Sequence, residues 1–125
     1  MAPDARRRLG DAGEALVAQW YEARGFVVVD HNWRCREGEL DLVCAGHQSG
    51  VAVLVFCEVK TRRSTAFGSP LEAVTVTKQR RIRVLARRWL EEQGSAHAPR
   101  LRFDVASVLA LPGATPEIMV VEAAF

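Results

Sequence analysis

Residues Val51–Arg62 read "VAVLVFCEVKTR". The first six carry no polar side chain, a pattern that suits a central strand covered on both faces. The stretch nevertheless finishes on Glu58 and Lys60. Side chains alternate along a strand, so these two charges share one face. A segment composed for burial thus ends by presenting a carboxylate and an ammonium side by side.

Working outward, "GELDLVCAG" (38–46), a turn around "HQSG" (47–50) and "VAVLVFCEVKT" (51–61) form an expected hairpin. With that turn centred near Ser49, Asp41 falls opposite Glu58, and Glu39 shares a face with Asp41. "FVVVDHNW" (26–33) is β-rich and supplies a strand before the hairpin. From Asp4 to Arg24 the spacing predicts a helix with Leu9, Gly13, Leu16, Trp20 and Ala23 on its apolar face, stopped by Gly25. On one flank of that helix lie Gly10, Glu14, Val17, Ala18 and Tyr21, whose small members permit close approach to a sheet.

Downstream, "GSPLEAV" opens a second helix, with Ser69 as N-cap, Pro70 as first helical residue and Glu72 closing a capping box. Leu71, Val74, Ile82, Leu85 and Trp89 form its apolar stripe, and "LRFDVASVLAL" and "EIMVVEAAF" give two further strands. The expected fold is α/β: a mixed central sheet flanked by helices in the order αβββαββ, one domain over residues 1–125.

Composition narrows the function classes. Hydrophobic and charged fractions of 49% and 26% are those of an ordinary globular protein. No apolar run reaches the roughly 18 residues a membrane span needs, and the arginine-bearing N-terminus lacks the apolar core of a secretory signal, so no membrane is expected as a partner. Cys35, Cys44 and Cys57 form no CxxC pair, which points to reduced thiols in a cytoplasmic protein and away from a zinc site. Net charge is only +2, but basic residues cluster at Arg62–Arg63 and through "KQRRIRVLARR" (78–88). Of the 17 basic residues only Lys60 and Lys78 are lysine. A lysine is a compact charge that can lose its proton when desolvated, which arginine cannot, so both stand out as candidates for chemistry.

Two or three carboxylates crowded at the end of a buried strand repel one another unless a cation lies between them. Mg²⁺ or Mn²⁺ suits such hard oxygen ligands and accepts substrate phosphate as a further ligand. A neighbouring lysine could orient or deprotonate an attacking water or neutralise charge building on phosphorus. The plainer alternative is a cross-strand salt-bridge ladder of Glu58 and Lys60 with Asp41 and Arg62. Lys78 falls within the apolar stripe of its helix, where its amine either escapes to solvent or reaches toward the carboxylates. Asp104 is read as a partner for a neighbouring arginine, and Cys57 as inert packing.

Asp41 followed by Glu58-Val59-Lys60 on the next strand resembles the PD-(D/E)XK nuclease superfamily. More closely, "GE" at Gly13–Glu14, "N-x-R…GELDLV" from Asn32, "F-x-EVKTR" from Phe56, "FGSP" from Phe67, "KQRR" from Lys78 and "RFDV" from Arg102 are similar to the YraN-like family, related in fold to archaeal Holliday-junction resolvases. That resemblance implies a restriction-endonuclease-like core. It also implies that Asp41, Glu58 and the Val59 carbonyl hold Mg²⁺ or Mn²⁺, that Lys60 acts on the water, and that Glu14 completes the acidic cluster. Leu40 replaces the proline usual before the aspartate, and Cys57 the usual valine.

The function expected from this is metal-dependent hydrolysis of DNA, branched or otherwise distorted. Lys78, Gln79, Arg62, Arg63, Arg80 and Arg81 would grip nucleic acid, with Arg87 and Arg88 beside them. By analogy with resolvases, a homodimer would match the two symmetric cuts of a four-way junction. The alternative is a non-catalytic nucleic-acid-binding or adaptor domain that retains the fold.

Overall fold

Two apolar clusters, one on each face of a single sheet, organise the chain. The computed structural model describes residues 3–64, 72, 74–93 and 100–125, with residues 3–10 described through their backbone. The elements run α1 (Pro3–Glu22), β1 (Val27–Cys35), β2 (Gly38–Gln48), β3 (Val51–Arg62), α2 (Val76–Gln93), β4 (Arg100–Leu109) and β5 (Glu117–Val121). This is the expected αβββαββ order. The strands lie side by side in the order β1-β2-β3-β4-β5, antiparallel except for the parallel β3–β4 pair. The sheet is therefore mixed, and α2 belongs to the crossover that a parallel pair requires.

Alternation along β3 assigns its residues to the two layers. Leu54 and Phe56 join Ile82, Leu85, Ala86 and Trp89 of α2, whereas Val53, Val55 and Cys57 join Val17 and Tyr21 of α1. A strand that is apolar at every position is what two covered faces demand. Cys57 is buried within the α1 cluster, in keeping with its reading as packing.

The β2–β3 turn is the two-residue connection Ser49–Gly50, both with positive φ (52° and 77°), closed by the Gln48–Val51 pair. Such turns match the twist of the flanking strands, and the glycine takes the left-handed conformation at little cost. α1 ends as its sequence suggests. Gly25 has φ 86°, its N–H donates to the Glu22 carbonyl, the Phe26 N–H donates to the Tyr21 carbonyl, and the two rings pack edge to face.

Three expectations need adjustment. The line of α1 that meets the sheet most deeply is Gly13–Val17–Tyr21, while Trp20 is half-buried under Arg24. The reason is polar: the Tyr21 hydroxyl donates to the wholly buried Asp104 at 2.6 Å, which anchors that line of the helix to the sheet. In α2, the described helix starts at Val76, with Thr75 Oγ1 accepting the Lys78 N–H as an N-cap; Ser69, Pro70 and Leu71 lie outside the described residues. The last strand stops at Val121, because Ala123 adopts φ 50° and gives its N–H to Asp104. Phe125 then stacks on Phe103. No helix described is long and apolar enough to cross a membrane.

Candidate metal and nucleic-acid site

The β2–β3 pairing runs from the turn as far as Leu42 opposite Cys57. Continuing it by one residue would set Asp41 opposite Glu58, the register expected from the turn. Here, however, the Asp41 side chain takes over: Oδ2 accepts the Val59 N–H at 2.9 Å. A ladder bond gives way to a carboxylate, and the strands part around it. Asp41 thus stands at the seam, with acids reaching it from both faces of the sheet.

On the α1 side, carboxylate oxygens of Glu14, Glu39 and Asp41 lie within 4.8 Å of one another. Glu14 arrives there because its neighbour Gly13 is buried against Thr61 of β3; a Cβ at Gly13 would collide with Thr61 Oγ1. The glycine therefore allows the approach that brings Glu14 over the seam. Asn32 of β1, itself in a left-handed conformation (φ 50°), lies near enough to favour the ionised Glu14 carboxyl, yet Glu14 Oε2 is shut off from solvent with no partner among the described residues.

On the α2 side, both lysines of the chain converge on one atom. Lys60 Nζ lies 3.4 Å and Lys78 Nζ 3.5 Å from Glu58 Oε1. Lys78 thus does reach from its helix toward the carboxylates. The Glu58 side chain is only 12% exposed, so these ion pairs are partly desolvated rather than surface decoration. The plainer ladder survives only in part: Glu58 and Lys60 do pair, but a helix lysine joins them and Asp41 is spent on Val59.

The electrostatics show the strain of this crowding. Burial, then the Glu58 charge, push the Asp41 carboxyl up to about 8, against the Val59 N–H bond that favours ionisation. The nearby Glu58 charge thus works against ionisation of Asp41. Glu14 is raised as well, first by burial and further by Glu39 and Asp11, with Asn32 opposing. The two ammoniums diverge. Burial acts to lower Lys60, but its contacts with Lys78 and Glu58 carry it above its usual value. Lys78 is lowered by burial and by Lys60 alongside it, so it gives up its proton more readily of the two.

A set of hard oxygen ligands, one of them buried and unpartnered and another discouraged from ionising by its neighbours, fits a small divalent cation. Glu14, Glu39 and Asp41 offer the closest oxygens, and Glu58 flanks them. Glu39, expected from sequence only to share a face with Asp41, is a full member of the cluster. Its signal was its alternation with Asp41 on β2, although it also meets Arg34 at 3.3 Å. Asp104 plays the structural part expected of it, gripped by two nitrogens of Arg102 at 2.9 Å.

The basic residues are spread more widely. Arg80, Arg81 and Arg87 are exposed on α2, Arg63 is exposed just past β3, and Arg62 is half-buried. Arg88 is paired with Glu37 at 2.7 Å. Gln79 donates its amide to the Val74 carbonyl and so helps bind the segment that enters α2.

Comparison with known proteins gives the lineage of this arrangement. Residues 13–108 match the model of the family described as Uncharacterised protein family UPF0102. A UPF0102 protein of Rhodococcus jostii is 49% identical over 117 residues, covering 94% of this chain and 95% of its own. One from Nocardia farcinica is 48% identical over 120 residues (96% and 91%), and one from Frankia alni 53% over 109 residues (86% of each). The matched span begins at the glycine that admits Glu14 and includes every acid and lysine of the seam. This chain therefore belongs to the UPF0102, or YraN-like, family.

Proposed function

We propose that this protein is a divalent-metal-dependent phosphodiesterase that cuts DNA, with branched or distorted DNA as its preferred form. The observation that carries this reading is the junction of two charge clusters at Asp41: three acids whose oxygens lie within 4.8 Å, and beside them a glutamate holding both lysines of the chain.

Glu14, Glu39 and Asp41 would hold Mg²⁺ or Mn²⁺, with Glu58 and the Val59 carbonyl as the further ligands that the family resemblance implies. When bound, the cation supplies Lewis-acid polarisation of a phosphoryl oxygen and discharges the crowded carboxylates. The lysines supply the rest. Lys60 and Lys78, both gathered on Glu58, can neutralise negative charge developing on the phosphate and orient the attacking water. This divides between two residues a role first assigned to Lys60 alone. Arg62, Arg63, Arg80, Arg81 and Gln79 would supply phosphate contacts that add affinity without reading sequence. A homodimer would serve the two symmetric strands of a junction.

One observation favours a second reading, a binding domain without catalysis: Glu58 is already neutralised by two ammoniums. A cleavage panel separates the two. Single-stranded, duplex, flap and four-way-junction DNA are incubated with Mg²⁺ or Mn²⁺ and wild type, Asp41→Ala or Lys60→Ala. Cutting by wild type that drops at least 100-fold in both variants supports the enzyme. Binding without cutting supports the adaptor. Cutting unchanged in both variants defeats the assignment of the site.

A further inference from the structure

Beside the acidic cluster lies a feature that phosphate chemistry leaves unused. A cavity of about 390 Å³ opens between α1 and the β1–β2 edge, lined by Asp11, Glu14, Ala15 and Ala18 of the helix and by Val28, His31, Asn32 and Leu42 of the strands. Its volume falls at the low end of the roughly 300–1,000 Å³ typical of small-molecule sites, which suits one compact ligand and not a duplex. The helix makes room by presenting only methyl groups at Ala15 and Ala18. Glu14 is a wall common to this cavity and to the cluster with Glu39 and Asp41, so an occupant of the one would adjoin a group held at the other.

The lining restricts the occupant. Asp11 and Glu14 repel a phosphate, so this is no second anion site. Val28, Leu42 and the two alanines ask for an apolar face, which a bare cation does not offer. A purely apolar ligand would leave Glu14 Oε2, buried and without a partner among the described residues, still unsatisfied. A flat body with a hydrogen-bond donor at its edge meets these demands, and an organic ammonium is the competing occupant. The Asn32 amide, within 3.3 Å of His31 Nδ1, lies at the same polar end.

We propose that this cavity receives one unstacked nucleobase of the strand whose phosphate lies at the acidic cluster, with a donor on the edge of the base reaching Glu14. The inference rests on the nucleic-acid reading above and gives it a structural preference. A base can enter only where it is unpaired, and extruding one is least costly at a branch, mismatch or single strand.

The test is a titration of the metal-free protein with deoxyadenosine, deoxycytidine, deoxyguanosine and thymidine, read by NMR at the His31 ring and the Asn32 side-chain amide. Inorganic phosphate and choline are the controls, and Ala15→Trp and Ala18→Trp fill the cavity. The exposed Ala15 position tolerates the larger ring on folding grounds, so it backs up the half-buried Ala18. Mn²⁺-induced broadening around Asp41 is recorded on every sample. Saturable shifts with the nucleosides, lost in either tryptophan variant while Mn²⁺ broadening persists, uphold the pocket. Shifts that persist in wild type where Mn²⁺ broadening and cleavage are both absent uphold it too, and defeat the nuclease reading instead. No shift with any nucleoside in a protein that binds Mn²⁺ overturns the pocket and leaves that reading standing. An equal response to phosphate, or a stronger one to choline as an organic ammonium, overturns it as well.

Discussion

Asp41 and Asp104 are both carboxylates inside the fold, and their surroundings give them opposite characters. Asp104 accepts from Tyr21, from Arg102 twice and from the Ala123 N–H, so its charge is matched on every side. Removing the hydroxyl in Tyr21→Phe should cost about 1.5–3 kcal/mol, the range for a hydrogen bond to a charged group. Urea unfolding checks it, and a loss below about 0.5 kcal/mol would mean the bond adds nothing. Asp41 is raised to about 8 by burial and Glu58. A carboxyl with a folded pKa above its unfolded value binds more protons folded than unfolded. Its stabilising effect is therefore complete below about pH 4 and is lost as pH climbs through about 8. Asp41→Asn should flatten that decline and raise the melting temperature at pH 8 more than at pH 5, measured calorimetrically without metal. A substitution that leaves the slope intact would move the titration to another group. At this scale the sequence was informative wherever residue type is scarce or spacing is short. Two lysines among fifteen arginines pointed to the site, and E-x-K on a strand fixed their shared face. That Asp41 would bond a backbone N–H across the seam, and that Glu39 would equal it, depended on strand divergence that no local pattern encodes.

Among the elements, the hairpin and α1 do the positioning. The two-residue turn fixes the β2–β3 register, and so fixes which acid arrives beside Glu58. α1 sets the third acid through contact between Gly13 and Thr61 Oγ1. Alanine at Gly13 gains about 1 kcal/mol of helix propensity. Forcing a Cβ against a β-branched side chain costs about 1–3 kcal/mol and pushes the helix outward. Gly13→Ala should therefore lower stability and weaken Mn²⁺ binding together, and Thr61→Ala in the same chain should restore both. Calorimetry on the four proteins of that cycle measures the coupling; strictly additive effects would show that the approach does not place Glu14. The pattern of α2 was readable in its interior, where Ile82, Leu85 and Trp89 are buried as spaced. Its start was less so, because "GSPLEAV" carries good capping chemistry while Thr75, a cap with no special flanking signature, opens the described helix. The α1 stripe was misplaced for a different reason. Hydrophobic spacing favoured Trp20, but the buried partner of Tyr21 lies 83 residues away.

Across the whole molecule, the sheet brings together residues from positions 14 to 78, through α1, β2, β3 and α2. The order αβββαββ was legible because the strands are β-rich, most of them begin beside a glycine or proline, and the apolar first half of β3 calls for helices on both sides. Which helix covers which face was not legible, yet it decides the site: α1 contributes an acid, α2 a lysine, and Asp41 meets both groups at the seam. The central claim is that this meeting point is built for a doubly charged cation. Its most direct measurement is an isothermal titration of Mn²⁺ into wild type and Asp41→Asn between pH 6 and 8.5. The account predicts one saturable site in wild type, with proton release on binding and affinity that rises several-fold per pH unit toward about 8. It predicts loss of that site in the variant, whose fold is retained. Absence of a saturable site in wild type at pH 8.5, or equal affinity in Asp41→Asn, would contradict it.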